Sequence, residues 1–546
     1  MVIPSTLPSI TIPETDILQL LFKNVHKTPE NRKLYIDAFS GESLTLGQLK
    51  DNVLRFAASL QDSFNFQKGN VVAIYAPNQY DYSIPLLGAV AAGGIASPAN
   101  PAYTPKELAY QLEMTSAKVL IAHPTNVESA LAAADLVGLP KSNVFVFGKQ
   151  VINGVVPYYQ AFLTSQRRAD LIRLNAEEAK DTVAYLCFSS GTTGKSKGVM
   201  TTHTNITSNI LQYEALDGKH VNGDNDRMIG VLPFFHIFGL TLLLHIAVYL
   251  GTPVFVMSKF DLVQFCETVQ KQKITFTCLV PPIILLLAKH PLIDQYDFTS
   301  LKLVICGAAP LSGDLSRQVR ARLPNLVVKQ GYGLTETSPC AVIEPTDRVV
   351  DGSIGLLVSN MTARIVDDDD KDVPTGERGE LWLKGPNIMK GYINNPEATA
   401  DCIDNEGYFH TGDIAIQDKN GHFFIVDRKK ELIKYKGFQV PPAELEGILL
   451  QSPIIADCAV IGVYDSSQAT ELPRGYITLR PDVPATIETA DIIKKFVADQ
   501  VVYYKQLRSI VFIDEIPKSA AGKILRRVLR DAAAAEQALE KQKSKL

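Results

Sequence analysis

Ser189-Ser190-Gly191-Thr192-Thr193-Gly194-Lys195-Ser196-Lys197-Gly198 is the stretch from which the rest of the chain can be ordered. The apolar run Val183-Ala184-Tyr185-Leu186-Cys187-Phe188 leads into it and reads as a short buried strand. His203-Thr204-Asn205 follows and opens a segment with helical apolar spacing at Ile206, Ile210, Leu211 and Leu216. The stretch is therefore expected on a strand–loop–helix. Three glycines allow a tight turn that brings backbone N–H groups close to an anion. Ser189, Ser190, Thr192 and Thr193 add hydroxyl donors, and Lys195 and Lys197 add charge. A phosphate chain suits this set. The P-loop pattern G-x-x-x-x-G-K-[ST] is met at its end by Gly194-Lys195-Ser196, but Ser189 stands where its first glycine belongs. A Gly/Ser/Thr loop is also a common surface linker, so the remaining sequence has to decide.

A chain of 546 residues exceeds one core and points to two to four domains. Its 46% apolar and 21% charged content is that of a soluble globular protein. The formal net charge of -4 gives no electrostatic case for a nucleic-acid partner. Seven scattered cysteines without a C-x-x-C pair read as reduced thiols, neither a disulfide frame nor a zinc site. Met1 to Ile12 lacks the basic flank and apolar stretch of a leader. The longest apolar run, Ile229 to Met257, is interrupted by Pro233, His236, His245 and Pro253. It is expected as a buried helix between core strands, and no transmembrane segment is expected. Ser544-Lys545-Leu546 is a peroxisomal address, which predicts an import receptor as partner and the peroxisome as location.

Residues 16 to 170 alternate helix-like stretches (Leu46 to Asp62, Asp81 to Ala92) with strand-like ones (Val71 to Tyr75, Val119 to Ala122, Val144 to Phe147). Met228 to Leu232, Pro253 to Val256, Thr275 to Val280 and Leu303 to Cys306 continue the pattern. Such alternation implies layered parallel β-α-β units. From about Gly355 the chain turns β-rich, with Thr362 to Val366, Gly379 to Leu383 and His422 to Val426 as strands. The acidic run Asp367 to Asp370 reads as a solvated turn. A smaller α+β unit follows. The fold class is α/β, with a domain boundary near Asp427 to Lys430, so that 1–427 and 428–546 form a large and a small domain.

Five further stretches accompany the first. They are Leu232-Pro233-Phe234-Phe235-His236-Ile237-Phe238-Gly239, Gln330-Gly331-Tyr332-Gly333-Leu334-Thr335-Glu336-Thr337, Tyr408-Phe409-His410-Thr411-Gly412-Asp413, Asp427-Arg428-Lys429-Lys430 running on to Gln439, and Pro517-Lys518-Ser519-Ala520-Ala521-Gly522-Lys523. In this order the set resembles the adenylate-forming superfamily of acyl-CoA synthetases, luciferases and peptide-synthetase adenylation domains, closest in texture to the 4-coumarate:CoA ligases. The likeness runs from about residue 15 to residue 530.

That resemblance implies a large domain of parallel layers with a distorted β-barrel, a small mobile C-terminal lid, and MgATP-dependent formation of an acyl-AMP. The acyl group then passes to a thiol, usually coenzyme A. Residues 189–197 would hold the β- and γ-phosphates, and Ala309, Gln330, Gly331, Tyr332 and Gly333 would surround the adenine. Thr335 would bind phosphate, and Glu336 suits Mg²⁺. Asp413 could accept both ribose hydroxyls, with Arg428 as a donor fork beside it. Lys523 would bridge the attacking carboxylate and the α-phosphate, where charge grows in the transition state. His236 would line the acyl site. Lys434 and Gln439 would meet the adenylate in a second conformation, Lys430 matches another nucleotide contact, and Lys259, Lys436 and Gly437 match positions that meet coenzyme A.

The departures concern the acid. Plant 4-coumarate ligases commonly carry Lys-Ser-Gly-Ala-Ala-Pro where this chain has Ile305-Cys306-Gly307-Ala308-Ala309-Pro310, a tyrosine at Phe238 and a serine near Leu242. Phe238, Leu242, Ile305, Ala308, Pro339, Cys340 and Ile343 would make a more apolar pocket, for a medium-chain fatty acid or a less hydroxylated aryl acid. A luciferase-type oxygenase and an adenylation domain loading a carrier protein are the alternatives on the same scaffold.

Overall fold

The computed structural model describes residues 2–189, 196–436, 438–465, Gln468, 470–520 and 522–543. Two large sheets form the bulk of the chain. The first has seven strands in the order Gly391–Tyr392, Lys197–Thr202, Val183–Ser189, Ile95–Ala99, Val71–Tyr75, Ala117–Ala122 and Val144–Val146. From Val183–Ser189 onward the neighbours are parallel, and the first two strands are antiparallel additions. The second has nine strands: Leu356–Leu357, Cys340–Ile343, Val327–Gly333, Leu303–Cys306, Phe276–Leu279, Met228–Gly230, Val254–Val256, Lys33–Asp37 and Ser43–Thr45. Its six central strands are parallel, and antiparallel strands close both ends. Strands covered on both faces read as unbroken apolar runs, and Val71-Val72-Ala73-Ile74-Tyr75 is buried throughout.

One continuous core joins both sheets, with Val72 and Ile74 from the first and Ile229 and Val254 from the second. The helix Ser83–Ala91 is buried on every side. The helix His203–Asp217 is buried almost as fully but carries polar residues inward. Asn205 Nδ2 donates to the carbonyls of Pro386 and Ile388, both at 2.8 Å, so this helix holds remote loops through hydrogen bonds.

The structure corrects the expected strand–loop–helix. Lys197–Thr202 is a strand, antiparallel to Val183–Ser189 with Ser189 opposite Lys197. The helix begins only at His203, fixed by a capping box between Thr202 and Asn205. The glycine-rich stretch thus connects a β-hairpin, and no helix N-terminus follows it directly. The expectations for Ser190, Gly191, Thr192, Thr193, Gly194 and Lys195 fall outside the described residues, as do those for Gly437 and Ser544-Lys545-Leu546.

The apolar run Ile229 to Met257 is strand, helix and strand. Its helical part, Ile237 to Leu250, includes a π-helical stretch, Leu240–Ile246. His245 occupies that stretch with Nδ1 2.8 Å from the Leu240 carbonyl and Nε2 2.7 Å from the Tyr185 hydroxyl. No described helix is long and apolar enough to cross a membrane.

A five-stranded antiparallel sheet follows: Ile3–Pro4, Thr362–Val366, Arg378–Lys384, Phe409–Gln417 and Phe423–Arg428. Beyond Arg428 lies a small unit. It includes the hairpin Ile433–Tyr435 with Phe438–Val440, the helices Pro442–Leu449, Ile487–Ala498 and Arg526–Lys543, and the sheet Ile455–Asp465, Thr470–Leu479 and Ser509–Phe512. It has its own core, built on Leu445, Val460, Ile477 and Ile493.

Candidate active site

A cavity of about 1300 Å³ opens where Gly331 to Glu336 leave the nine-stranded sheet, lined also by Ser189 and Lys197 and by Lys518, Ser519, Ala520, Lys523 and Leu525 of the small unit. Its floor depends on a close backbone approach. A Cβ on Gly333 would stand 1.8 Å from the Pro339 carbonyl oxygen, so no larger residue fits there. Tyr332 lines the cavity, and its hydroxyl donates to Asp413 Oδ2 at 2.6 Å. Arg428 Nε lies 3.2 Å from Asp413 Oδ1, because Asp413 and Arg428 are register partners on neighbouring strands. Asp413 is thus buried behind Tyr332 and Arg428 and already has a donor on each oxygen. It does not itself line the cavity wall. A ribose would share this carboxylate through its remaining lone pairs.

Glu336 is held from one side. Its Oε1 accepts from the Tyr392 hydroxyl at 2.8 Å and from Ser189 Oγ at 3.3 Å. The Lys197 ammonium sits 4.7 Å from the centre of the same tyrosine ring. Thr335, Glu336, Ser189 and Lys197 therefore meet at one end of the cavity. The expected acyl residues Phe238, Leu242, Ile305, Ala308, Pro339, Cys340 and Ile343 all line it as well. A Cβ on Gly307 would meet the Phe238 ring at 3.1 Å, so the aromatic wall lies flat against a bare backbone.

Lys523 enters from the small unit. It follows Gly522, whose φ of +76° is in the left-handed region. A Cβ there would reach Val280 at 3.1 Å. Gly522 thus serves both the turn and the close approach to Val280. The Lys523 N–H donates to Ser519 Oγ at 3.2 Å, and its carbonyl accepts the Ser519 N–H at 2.8 Å, which closes the loop on itself. Burial, and then the Arg428 guanidinium, push the Lys523 ammonium down to about 8. His236, at the start of the helical turn Ile237–Gly239, accepts the Phe238 N–H on Nδ1 at 3.3 Å. Burial, with Lys523 as the nearby cation, lowers it to about 4 and keeps it neutral near pH 7.

Several expected contacts lie elsewhere. Gln330 precedes Gly331, but a strand alternates faces, and its side chain turns away from the cavity. Its Oε1 accepts the Leu311 N–H at 3.0 Å and its Nε2 donates to the Ser353 carbonyl at 2.8 Å. Gln330 and Ala309 are therefore not cavity-lining. Lys430 is at the rim. Lys259, Lys434 and Lys436 are exposed, and neither they nor Gln439 line the cavity. The Lys434 N–H donates to Glu471 at 2.7 Å, on the small unit's own surface. Lys523 and Lys434 are thus not brought together.

Sequence reading overlooked Tyr392, Asn209, Gln212 and Tyr213, all of which line the cavity. Gly391–Tyr392 reaches it by pairing antiparallel with Val199 and Met200. Nothing in so short a segment signals that role.

The AMP-binding enzyme family model matches residues 21–393, and the model of the AMP-binding enzyme C-terminal domain matches residues 444–523. The chain belongs to the AMP-binding enzyme family. It is 37% identical over 549 residues to the probable 4-coumarate–CoA ligase 3 of Dictyostelium discoideum, covering 96% of this chain and 97% of that protein. It is also 37% identical over 541 residues to 4-coumarate–CoA ligase 1 of Petroselinum crispum, with 97% and 96% covered. Among solved structures it resembles ATP-bound MatB from Rhodopseudomonas palustris, with a TM-score of 0.83 and 26% identity over 94% of this chain and 98% of the other. Both matched parts contribute to this cavity: Glu336 belongs to the first and Lys523 to the second.

Proposed function

We propose that the protein is an ATP-dependent carboxylic acid:CoA ligase that forms an acyl-AMP and then an acyl-CoA thioester. The observation that carries this reading is the meeting of Lys523 with neutral His236 and the Thr335–Glu336 corner in one cavity. The ammonium would stabilise the charge that develops as a carboxylate attacks an α-phosphate. A neutral imidazole beside it does not compete for the anion. Tyr332 and Arg428 would position the nucleotide, and the family's reaction supplies the order of events.

Mg²⁺ fits the site as a partner of ATP. Among the described residues there is no group of three or more candidate ligands, and Glu336 has both of its hydroxyl donors on Oε1. A cation that keeps waters and phosphate oxygens in its shell needs no more. The acid is aryl (4-coumarate- or cinnamate-like) or medium-chain, since Phe238, Leu242, Ile305 and Ile343 present mainly hydrocarbon. Pyrophosphate release screened across cinnamic, benzoic, phenylacetic and fatty acids, followed by detection of the CoA thioester, tests the assignment. Absence of both with every acid overturns it.

The depressed Lys523 fixes a pH dependence. Its charged form dominates below about 8 and is lost as pH rises through that value. We expect kcat/KM for ATP in the first half-reaction to be flat near neutrality and to fall about tenfold by one pH unit above the Lys523 value. In Lys523→Arg, whose cation does not titrate there, that alkaline limb should vanish. A limb that persists unchanged in the arginine variant assigns it to another group.

Division of the chain near Asp427 to Lys430 and residence in the peroxisome belong to the same proposal. Deleting Ser544-Lys545-Leu546 should leave ligase activity unchanged and make a fluorescent fusion cytosolic, since the tripeptide is read by a receptor and anchors nothing. Persistence of the truncated fusion in peroxisomal puncta contradicts the address.

A further inference from the structure

Gly391–Tyr392 is a very short strand, yet its backbone is tied to two elements of the cavity. Gly391 pairs with Met200 and Tyr392 with Val199, on the strand that begins at Lys197. The Ile393 N–H donates to the Gly198 carbonyl at 2.9 Å, and the Met389 N–H donates to the Glu336 carbonyl at 2.9 Å. Main-chain bonds therefore fix this segment both to the Lys197 strand and to Glu336 itself. The Tyr392 N–H donates to Thr399 Oγ1 at 2.9 Å. Its ring belongs to an apolar cluster with Val199, Met389 and Phe409. Backbone and ring are thus placed by contacts that do not involve the hydroxyl.

From that place one side chain meets two opposite charges. The hydroxyl donates to Glu336 Oε1 at 2.8 Å, and the ring centre lies 4.7 Å from the Lys197 ammonium. Lys197 and Glu336 both line the cavity, and each is engaged by Tyr392 rather than by the other. Neither charge is cancelled within the protein by this arrangement. Ser189 Oγ also donates to Oε1, at 3.3 Å, whereas Oε2 accepts no hydrogen bond among the described residues. Two donors on one oxygen hold the carboxylate in rotation and leave its other oxygen open. Carboxylates that ligate metal ions are commonly fixed by outer hydrogen bonds of this kind.

Resting on the reading of Glu336 as the partner of Mg²⁺–ATP, we propose that Tyr392 is a positioning residue that holds Oε1 of Glu336 so that Oε2 is presented to the divalent cation. Its effect on the cation passes through Glu336. Hydroxyl and ring have separate tasks: the hydroxyl orients the carboxylate, and the ring occupies the Lys197 ammonium. Tyr392→Phe removes the first and keeps the second, which makes it the clean variant.

The test measures binding of α,β-methylene-ATP, which cannot be cleaved between its α- and β-phosphorus atoms, with Mn²⁺ and with EDTA. It compares wild type, Tyr392→Phe, Glu336→Gln and the double variant. Wild type should bind the Mn²⁺ complex more tightly than the metal-free analogue. Tyr392→Phe should lose about tenfold of that preference, with metal-free affinity and unfolding temperature unchanged. Glu336→Gln should lose at least as much, and the double variant no more than Glu336→Gln. A loss in Glu336→Gln with none in Tyr392→Phe overturns the inference and leaves Glu336 as the partner of the metal. Equal weakening of Tyr392→Phe with Mn²⁺ and with EDTA, or additive losses in the double variant, overturns it as well, since Tyr392 would then act on the nucleotide by another route. No metal preference in wild type, or none lost in Glu336→Gln, overturns the reading of Glu336 and this inference with it.

Discussion

Lys523→Ala is expected to lower acid-dependent pyrophosphate release by two to three orders of magnitude, on the order of what the loss of a preorganised charge donor costs elsewhere. Thioester formation from supplied acyl-AMP and CoA should be largely kept. The reason is local. Lys523 is a cation that the small unit brings to the cavity, close to His236, which is neutral and cannot take its place; Lys518 also lines the cavity but is paired with Asp457. Its loop is held by the Ser519 exchange and by the Gly522 turn, neither of which uses the ammonium. The alanine variant should therefore fold as wild type, with an unchanged unfolding temperature. Pyrophosphate release at the wild-type rate would remove Lys523 from the first half-reaction. Equal loss of both half-reactions would assign it a role in shaping the site rather than in charge stabilisation.

Much of this architecture was legible because parallel strands covered on both faces leave a plain trace. Val71–Tyr75 and Leu303–Cys306 are strands over the residues their apolar runs define. The hairpin after the glycine-rich stretch was not legible in the same way. Lys197–Thr202 is short, and the helical spacing that follows it begins so soon that the two merge. The helix start is decided by one capping box, not by periodicity. The motifs placed Tyr332, Thr335, Glu336 and Lys523 at one cavity, since each lies in a segment whose composition suits phosphate or nucleotide. They misplaced Gln330, whose neighbour in sequence lies on the other face of the strand. Asn209, Gln212 and Tyr213 were invisible for a different reason. What a polar residue on a buried helix does depends on its partners, and those of Asn209 and Gln212 are at Cys340 and Ser359, more than a hundred positions away.

The segment after Arg428 carries the second large prediction. Lys523 lines the cavity, whereas Lys434 is exposed on the small unit and donates its N–H to Glu471. If both serve the same acyl-phosphate, the small unit has to turn between the half-reactions. The ties that would break on turning include Lys289 Nζ on the Leu450 carbonyl at 2.8 Å, the Ala443 N–H on Asp427 Oδ2 at 2.9 Å, and Gly522 against Val280. Asp427 is the last carboxylate before the turn, with burial raising it to about 6. The turn is then absorbed between Arg428 and Glu431. A proline at Lys429 would test this badly, because the Lys429 N–H donates to the Gly412 carbonyl at 2.8 Å and that bond would be lost as well. Lys430→Pro is the better probe. It fixes φ at position 430 and restricts Lys429 before it. With Lys523 already at the cavity, the restricted chain should retain adenylate formation and lose thioester formation by at least about tenfold more, as expected for a blocked conformational step. Spectroscopic labels on the two domains should show a distance change with CoA in wild type and none in Lys430→Pro. Equal slowing of both half-reactions, or one unchanging distance in wild type with ATP, with acyl-AMP and with CoA, would place the pivot elsewhere or dispense with it.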